Sequence, residues 1–175
     1  MNNENLQYLI DNIKYMGFGE TLKADLERNM GEGKGEFQLH FKAEINKKPF
    51  EATLNFRKSD STDMYFFNNY HASLEKSNGE KNEQTFYLNK GKGVTAKEAY
   101  NLLDGRAVHK DLVTKDGQPY KAWIQLDFEN KDKNNSNKKR RPKKEVQTAA
   151  TVRFSDVGVR AVSCLVLIHP GKAER

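Results

Sequence analysis

The sequence predicts an α+β fold, on three observations. Apolar residues recur at helical spacing near the N-terminus. They alternate with polar ones over two adjacent stretches between Glu36 and Phe56. A capping motif at Thr95 then returns the pattern to a helix before a last alternating pair. The expected order is an N-terminal helical pair, an antiparallel β-sheet, one capped helix and a C-terminal hairpin, followed by a basic flexible tail.

Leu6, Leu9, Ile10, Ile13 and Met16 share one helical face over 6–16, and Gly17 and Gly19 interrupt it. A second short helix over 20–30 offers Leu22, Leu26 and Met30, and GEGKGE breaks the chain after it. Phe37, Leu39, Phe41, Ala43 and Ile45 alternate with Gln38, His40, Lys42 and Glu44. After a turn at Asn46–Pro49, Phe50, Ala52, Leu54 and Phe56 alternate again, which reads as an antiparallel hairpin. A third strand covers 63–74. Met64, Tyr65, Phe66 and Phe67 are apolar at consecutive positions, so its first half is expected to be covered on both faces. Gln84–Asn89 gives a fourth strand. Thr95-Ala96-Lys97-Glu98 is a capping box with Val94 and Ala99 placed as a hydrophobic staple, and the helix stops at Gly105. Arg106–Val113 and Tyr120–Phe128 form the last hairpin around Asp116-Gly117.

The length of 175 residues suits one domain, expected at 1–130, plus a tail. A single cysteine, Cys164, permits no internal disulfide, which fits a reducing compartment. MNNENLQYLI lacks the basic start and apolar run of a signal peptide, and 161–168 is too short to span a bilayer, so the expectation is a cytoplasmic protein without a membrane partner. The net charge of +6 resides in one segment: 131–145 holds eight basic and two acidic residues, and the remainder carries 22 of each. That segment has no apolar residue to offset its ordering entropy and reads as a disordered basic linker. Residues 146–175 are apolar again and are left open between extra strands and a tail without a folded partner.

No catalytic motif is recognisable. His40, His71, His109 and His169 lack metal-ligand spacing to one another or to Cys164, and no metal or other cofactor is expected. Gly91-Lys92-Gly93 before a helix suggests phosphate binding only weakly, since the phosphate-loop and dinucleotide patterns are missing, and a plain strand-to-helix turn is expected. Asp60 and Asp63 do not have the spacing of a calcium loop. Two features suit binding. Tyr65, Phe66, Phe67, Tyr70, Phe86 and Tyr87 could stack on bases, although core packing is the plainer expectation. Lys138, Lys139, Arg140, Arg141, Lys143 and Lys144 would bind nucleic acid in a salt-sensitive, sequence-blind way.

The stretches NIKYMGFGE, FRKSDSTDMYFFNNY, QTFYLNKGKGVTAKEAYNLLDGRAVHKDL and YKAWIQLDF resemble an uncharacterised protein family carried by conjugative transposons and other mobile elements of Bacteroides-type bacteria. The resemblance covers 4–129, with TAKEAYNLLDGRAV its most specific part, and it supplies no catalytic residue. It implies a cytoplasmic protein encoded beside conjugation and DNA-processing genes. The expected function is therefore a non-enzymatic mobile-element accessory that contacts nucleic acid, or a conjugation or DNA-processing protein, through the basic segment. The alternative is a protein–protein module, an inhibitor or assembly factor, using the sheet face.

Overall fold

In a computed structural model, residues 2–113 and 117–128 are described. The helical spacing at the N-terminus forms α1 (Asn3–Tyr15), opened by the Asn2 side chain accepting from the Asn5 amide. At its end the Gly17 amide donates to the Lys14 carbonyl and the Phe18 amide to the Ile13 carbonyl. This double-bonded cap needs a left-handed residue, and Gly17 supplies it with φ of 88°. The cap also fixes where Phe18 goes: into the core, edge-on to Phe41, Phe67 and Tyr70. α2 (Lys23–Gly31) follows and buries Leu26 and Met30.

Four strands then run as an antiparallel meander: β1 (Glu36–Ile45), β2 (Lys48–Lys58), β3 (Tyr65–Glu75) and β4 (Lys81–Tyr87). The first turn is tighter than its composition suggests. Lys48 and Pro49 belong to β2, and only Asn46 and Lys47 remain, with φ of 52° and 60°. Two successive left-handed residues match the strand twist in a two-residue hairpin. Pro49 is tolerated because it sits at the strand's beginning, one residue before pairing with β3 starts.

The expectation that Met64–Phe67 are covered on both faces is overturned. Tyr65 and Phe67 are buried, whereas Met64 and Phe66 are 39% and 47% exposed. Among the described residues no layer packs on that outer face, so the strand simply alternates. A bulge then inserts one residue: Phe67 pairs with Phe56 but Asn69 with Asn55, leaving Asn68 extra. The inward parity shifts from odd to even, and Tyr70, Ala72 and Leu74 return to the core.

The inner face is covered by the helices, and a separate hairpin packs beside the last of them. α3 (Ala96–Leu103) has the predicted capping box, with the Thr95 amide donating to Glu98 at 2.8 Å and the Glu98 amide to the Thr95 hydroxyl at 3.3 Å. It ends through Gly105 with the same double cap as α1. β5 (Val108–Val113) and β6 (Pro119–Ile124) form the two-stranded sheet, adding Val108, Leu112, Ala122 and Ile124 to the core, with Leu126 buried just after β6. Two buried amides lock the layers together. Asn5 donates to the Tyr65 carbonyl at 3.0 Å and accepts from the Tyr65 amide at 2.7 Å, clamping α1 to β3. Asn82 donates to the Leu103 carbonyl at 2.6 Å, tying β4 to the end of α3. Gln84, also buried, donates to the Thr85 carbonyl. Burial of such groups is tolerated because each finds a partner. No helix among the described residues is long and apolar enough to cross a membrane.

Candidate functional site

Lys138, Lys139, Arg140, Arg141, Lys143 and Lys144 lie outside the described residues, as do Cys164, His169 and the whole of 131–175. The described part has a different electrostatic character. Residues 2–113 and 117–128 hold 17 basic and 18 acidic groups. Many of these are paired with each other across the surface, as in Lys42–Glu51 at 2.8 Å and Lys58–Asp63 at 2.8 Å.

The aromatic cluster does not form one stacking platform. Tyr65, Phe67, Tyr70 and Phe86 point inward, and Phe37, Phe56 and Phe67 stack at 5.0 Å steps beneath the sheet. The Tyr70 hydroxyl donates to the Val94 carbonyl at 2.6 Å, and burial pushes its phenol well above the ordinary range. Only Phe66 and the half-buried Tyr87 stay on the outer face.

That outer face is organised in rows set by the strand register. Gln38 donates to Asn55 at 2.9 Å, and Asn55 to Asn69 at 2.7 Å, giving an amide ladder across β1, β2 and β3. The next row is His40, Thr53, His71 and Thr85, with each imidazole Nδ1 within 3.2 Å of its neighbouring threonine hydroxyl. The histidines are thus solvent-facing strand residues. A shallow depression of about 590 Å³ opens beside the bulge, between Gln38, Asn55, Arg57 and Asn69. Its one cation, Arg57, is shared by Glu36 and Asp60. Its chemistry is neutral hydrogen bonding: amide donors and acceptors, which suit base edges or peptide groups and give no excess charge for a phosphate.

The glycine loop before α3 has a packing explanation. Asn89 and Lys92 exchange backbone hydrogen bonds around Lys90 and Gly91, whose φ are 50° and 74°. A Cβ at Gly91 would come within 2.6 Å of the Tyr8 hydroxyl and the Asn12 amide, and one at Gly93 within 3.0 Å of the Tyr87 carbonyl. The loop is pressed against α1, and the Asn12 amide donates to the Gly91 carbonyl at 2.7 Å. At the start of α3 the capping box engages the Thr95 and Glu98 amides, and the Ala96 amide donates to the Met16 carbonyl, which leaves few donors for a phosphate.

Asp60 and Asp63 are taken up by ion pairs with Arg57 and Lys58. The Lys58 ammonium, hydrogen-bonded to Asp63, holds that carboxyl below its usual range. Among the described residues no group of three or more potential metal ligands forms. On β5–β6, His109 and Trp123 pair across strands with rings 5.1 Å apart, leaving Trp123 41% exposed. Sequence reasoning missed this pair and the amide ladder. The ladder's signal was the position of polar residues within alternating strands, readable only once the register is known. Comparison with protein-family models, with curated proteins and with solved structures returns no match to this chain.

Proposed function

We propose that the chain is a non-enzymatic accessory protein of a mobile element, and that it contacts nucleic acid, or a partner that processes it, through the basic segment 131–145. Lys138, Lys139, Arg140, Arg141, Lys143 and Lys144 are the electrostatic contacts. The observation that carries this reading is the partition of charge. The whole +6 excess resides in that segment, while 2–113 and 117–128 hold cations and anions in near balance. A polyanion is therefore drawn to the segment rather than to the α+β part, and the resemblance to mobile-element proteins supplies a setting rich in DNA.

The test is binding of labelled single- and double-stranded DNA to the full chain and to a chain truncated after Asn130, across a salt series. The reading expects affinity that falls with salt by roughly 0.7–0.9 log units per log unit for each phosphate neutralised, and that is lost with the truncation. Equal affinity of the two chains would sink it. A second reading, a protein–protein module using the outer sheet face, draws on the exposed Met64 and Phe66 beside the amide ladder. It gains ground if neither chain binds DNA at moderate salt.

A further inference from the structure

The outer edge of β1 lacks two backbone devices that keep edge strands apart, a proline and a bulge, although it carries the charged Glu36, Lys42 and Glu44. β1 runs ten residues in unbroken register with β2, without proline or bulge, and the sheet's one irregularity lies between β2 and β3. Among the described residues β1 has no neighbour on its other side. Hairpin geometry says which groups face outward. Ile45 and Lys48 close a two-residue turn and so form a hydrogen-bonded pair. Counting back by twos, Ala43, Phe41 and Leu39 bond to β2, which leaves the backbone groups of Glu44, Lys42, His40 and Gln38 directed away from the sheet. No described turn or loop backbone bonds to them.

The side chains along this edge are also incompletely used. On the inner face Phe41 and Ile45 are only partly buried, and among the described residues no strand continues the sheet beyond them. On the outer face Glu44 is exposed and makes no ion pair among the described residues, while Lys42 reaches Glu51.

We infer that β1 pairs antiparallel with β1 of a second copy, about a two-fold axis at Ala43, joining two four-stranded sheets into one of eight. This register places Lys42 of each copy opposite Glu44 of the other, both pairs being hydrogen-bonded positions. On the inner face it places Phe41 of each copy opposite Ile45 of the other, covering the two half-buried side chains. The neighbouring registers are worse. An axis at Lys42 sets two lysines face to face, one at Glu44 does the same with two glutamates, and one at Phe41 sets Lys42 against His40 and Glu44 against Gln38. Charge thus selects this alignment, and the same alignment covers the two half-buried side chains. The inference does not depend on nucleic-acid binding, but a dimer would carry two basic segments and so bind a polyanion bivalently.

The experiment is sedimentation equilibrium of the full chain over a concentration series, with Lys42→Glu, Glu44→Lys and the double reversal. Circular dichroism controls that each variant is folded. The wild type should form a reversible dimer. Each single reversal sets two like-charged pairs in place of two attractive ones and should weaken it by about tenfold or more, and the double reversal should restore most of the loss. A dimer indifferent to the single reversals uses another surface and overturns the proposal. So does a double reversal that fails to recover, or a chain that stays monomeric at millimolar concentration. If that monomer nonetheless protects the Lys42 and Glu44 amides from hydrogen exchange, the edge is occupied by the chain's own remainder instead.

Discussion

The two faces of the four-stranded sheet come from the same strands and the same alternation, yet they are built on different physics. The inner face is an interlocked set of rings and aliphatic groups, with Phe18, Phe50, Leu54, Tyr70 and Phe86 fully removed from water. The outer face is a grid of amides, imidazoles, hydroxyls and ion pairs that remain wet. Burial stabilises in proportion to apolar area, whereas exposed polar pairs exchange one hydrogen-bonded state for another at little net gain. The comparison teaches that the inner face holds the fold, and that the outer face and edge are free to be spent on recognition.

The largest effect should come from the centre of the inner face. Phe18 has no exposure, sits at the helix cap between α1 and α2, and meets Phe41, Phe67 and Tyr70 edge-on. Phe18→Ala removes those contacts and leaves a cavity that a rigid cap cannot close. The expected loss is about 4 kcal/mol, read by equilibrium denaturation. A loss below about 1 kcal/mol would mean that the inner face is not packed as described.

An intermediate effect is expected at the rim, where polar chemistry is partly buried. Asp104, at the end of α3, accepts from Lys48 of β2 at 2.5 Å and from Arg106 at 2.7 Å, and its side chain is only 15% exposed. The hydrogen bond from Lys48, with help from Arg106, holds its carboxyl below the usual value against the opposing effect of burial. A carboxyl whose folded pKa is lowered contributes stability above its unfolded value and loses it as pH falls through the folded one. Asp104→Asn should therefore cost about 1–2 kcal/mol at neutral pH and progressively less in acid, as the pH falls through the lowered folded value. A gap of equal size at neutral pH and in acid would break this assignment.

Much of the inner face was legible in the sequence, because alternation and helical spacing are local signals. The capping box at Thr95 and the hairpin of β1 and β2 follow from residues a few positions apart. What was not legible depends on pairing between distant residues. The bulge at Asn68 changes which residues face inward, and MYFF reads as doubly covered unless that shift is known. The reason for Gly91 lies in Tyr8 and Asn12, some eighty positions away. The basic segment is the opposite case. Its composition is plain in the sequence, its six predicted contact residues fall outside the described residues, and so the charge partition rather than geometry carries the proposal.

The smallest effect sharpens the comparison most. Asn55 stands in the middle of the amide ladder, accepting from Gln38 and donating to Asn69. Were the outer face structural, breaking the ladder at its centre would be costly. On the present argument water replaces both bonds, and asparagine is a poor strand former that threonine betters. Asn55→Thr should therefore change stability by no more than about 0.5 kcal/mol in either direction, measured as a shift in denaturation midpoint at unchanged slope. A loss above about 2 kcal/mol would make the ladder part of what holds the sheet together, and the outer face could no longer be regarded as surface free for a partner. A neutral result keeps it available, since amides held in a row at no cost to the fold are donors and acceptors already set at fixed spacing for a ligand to meet.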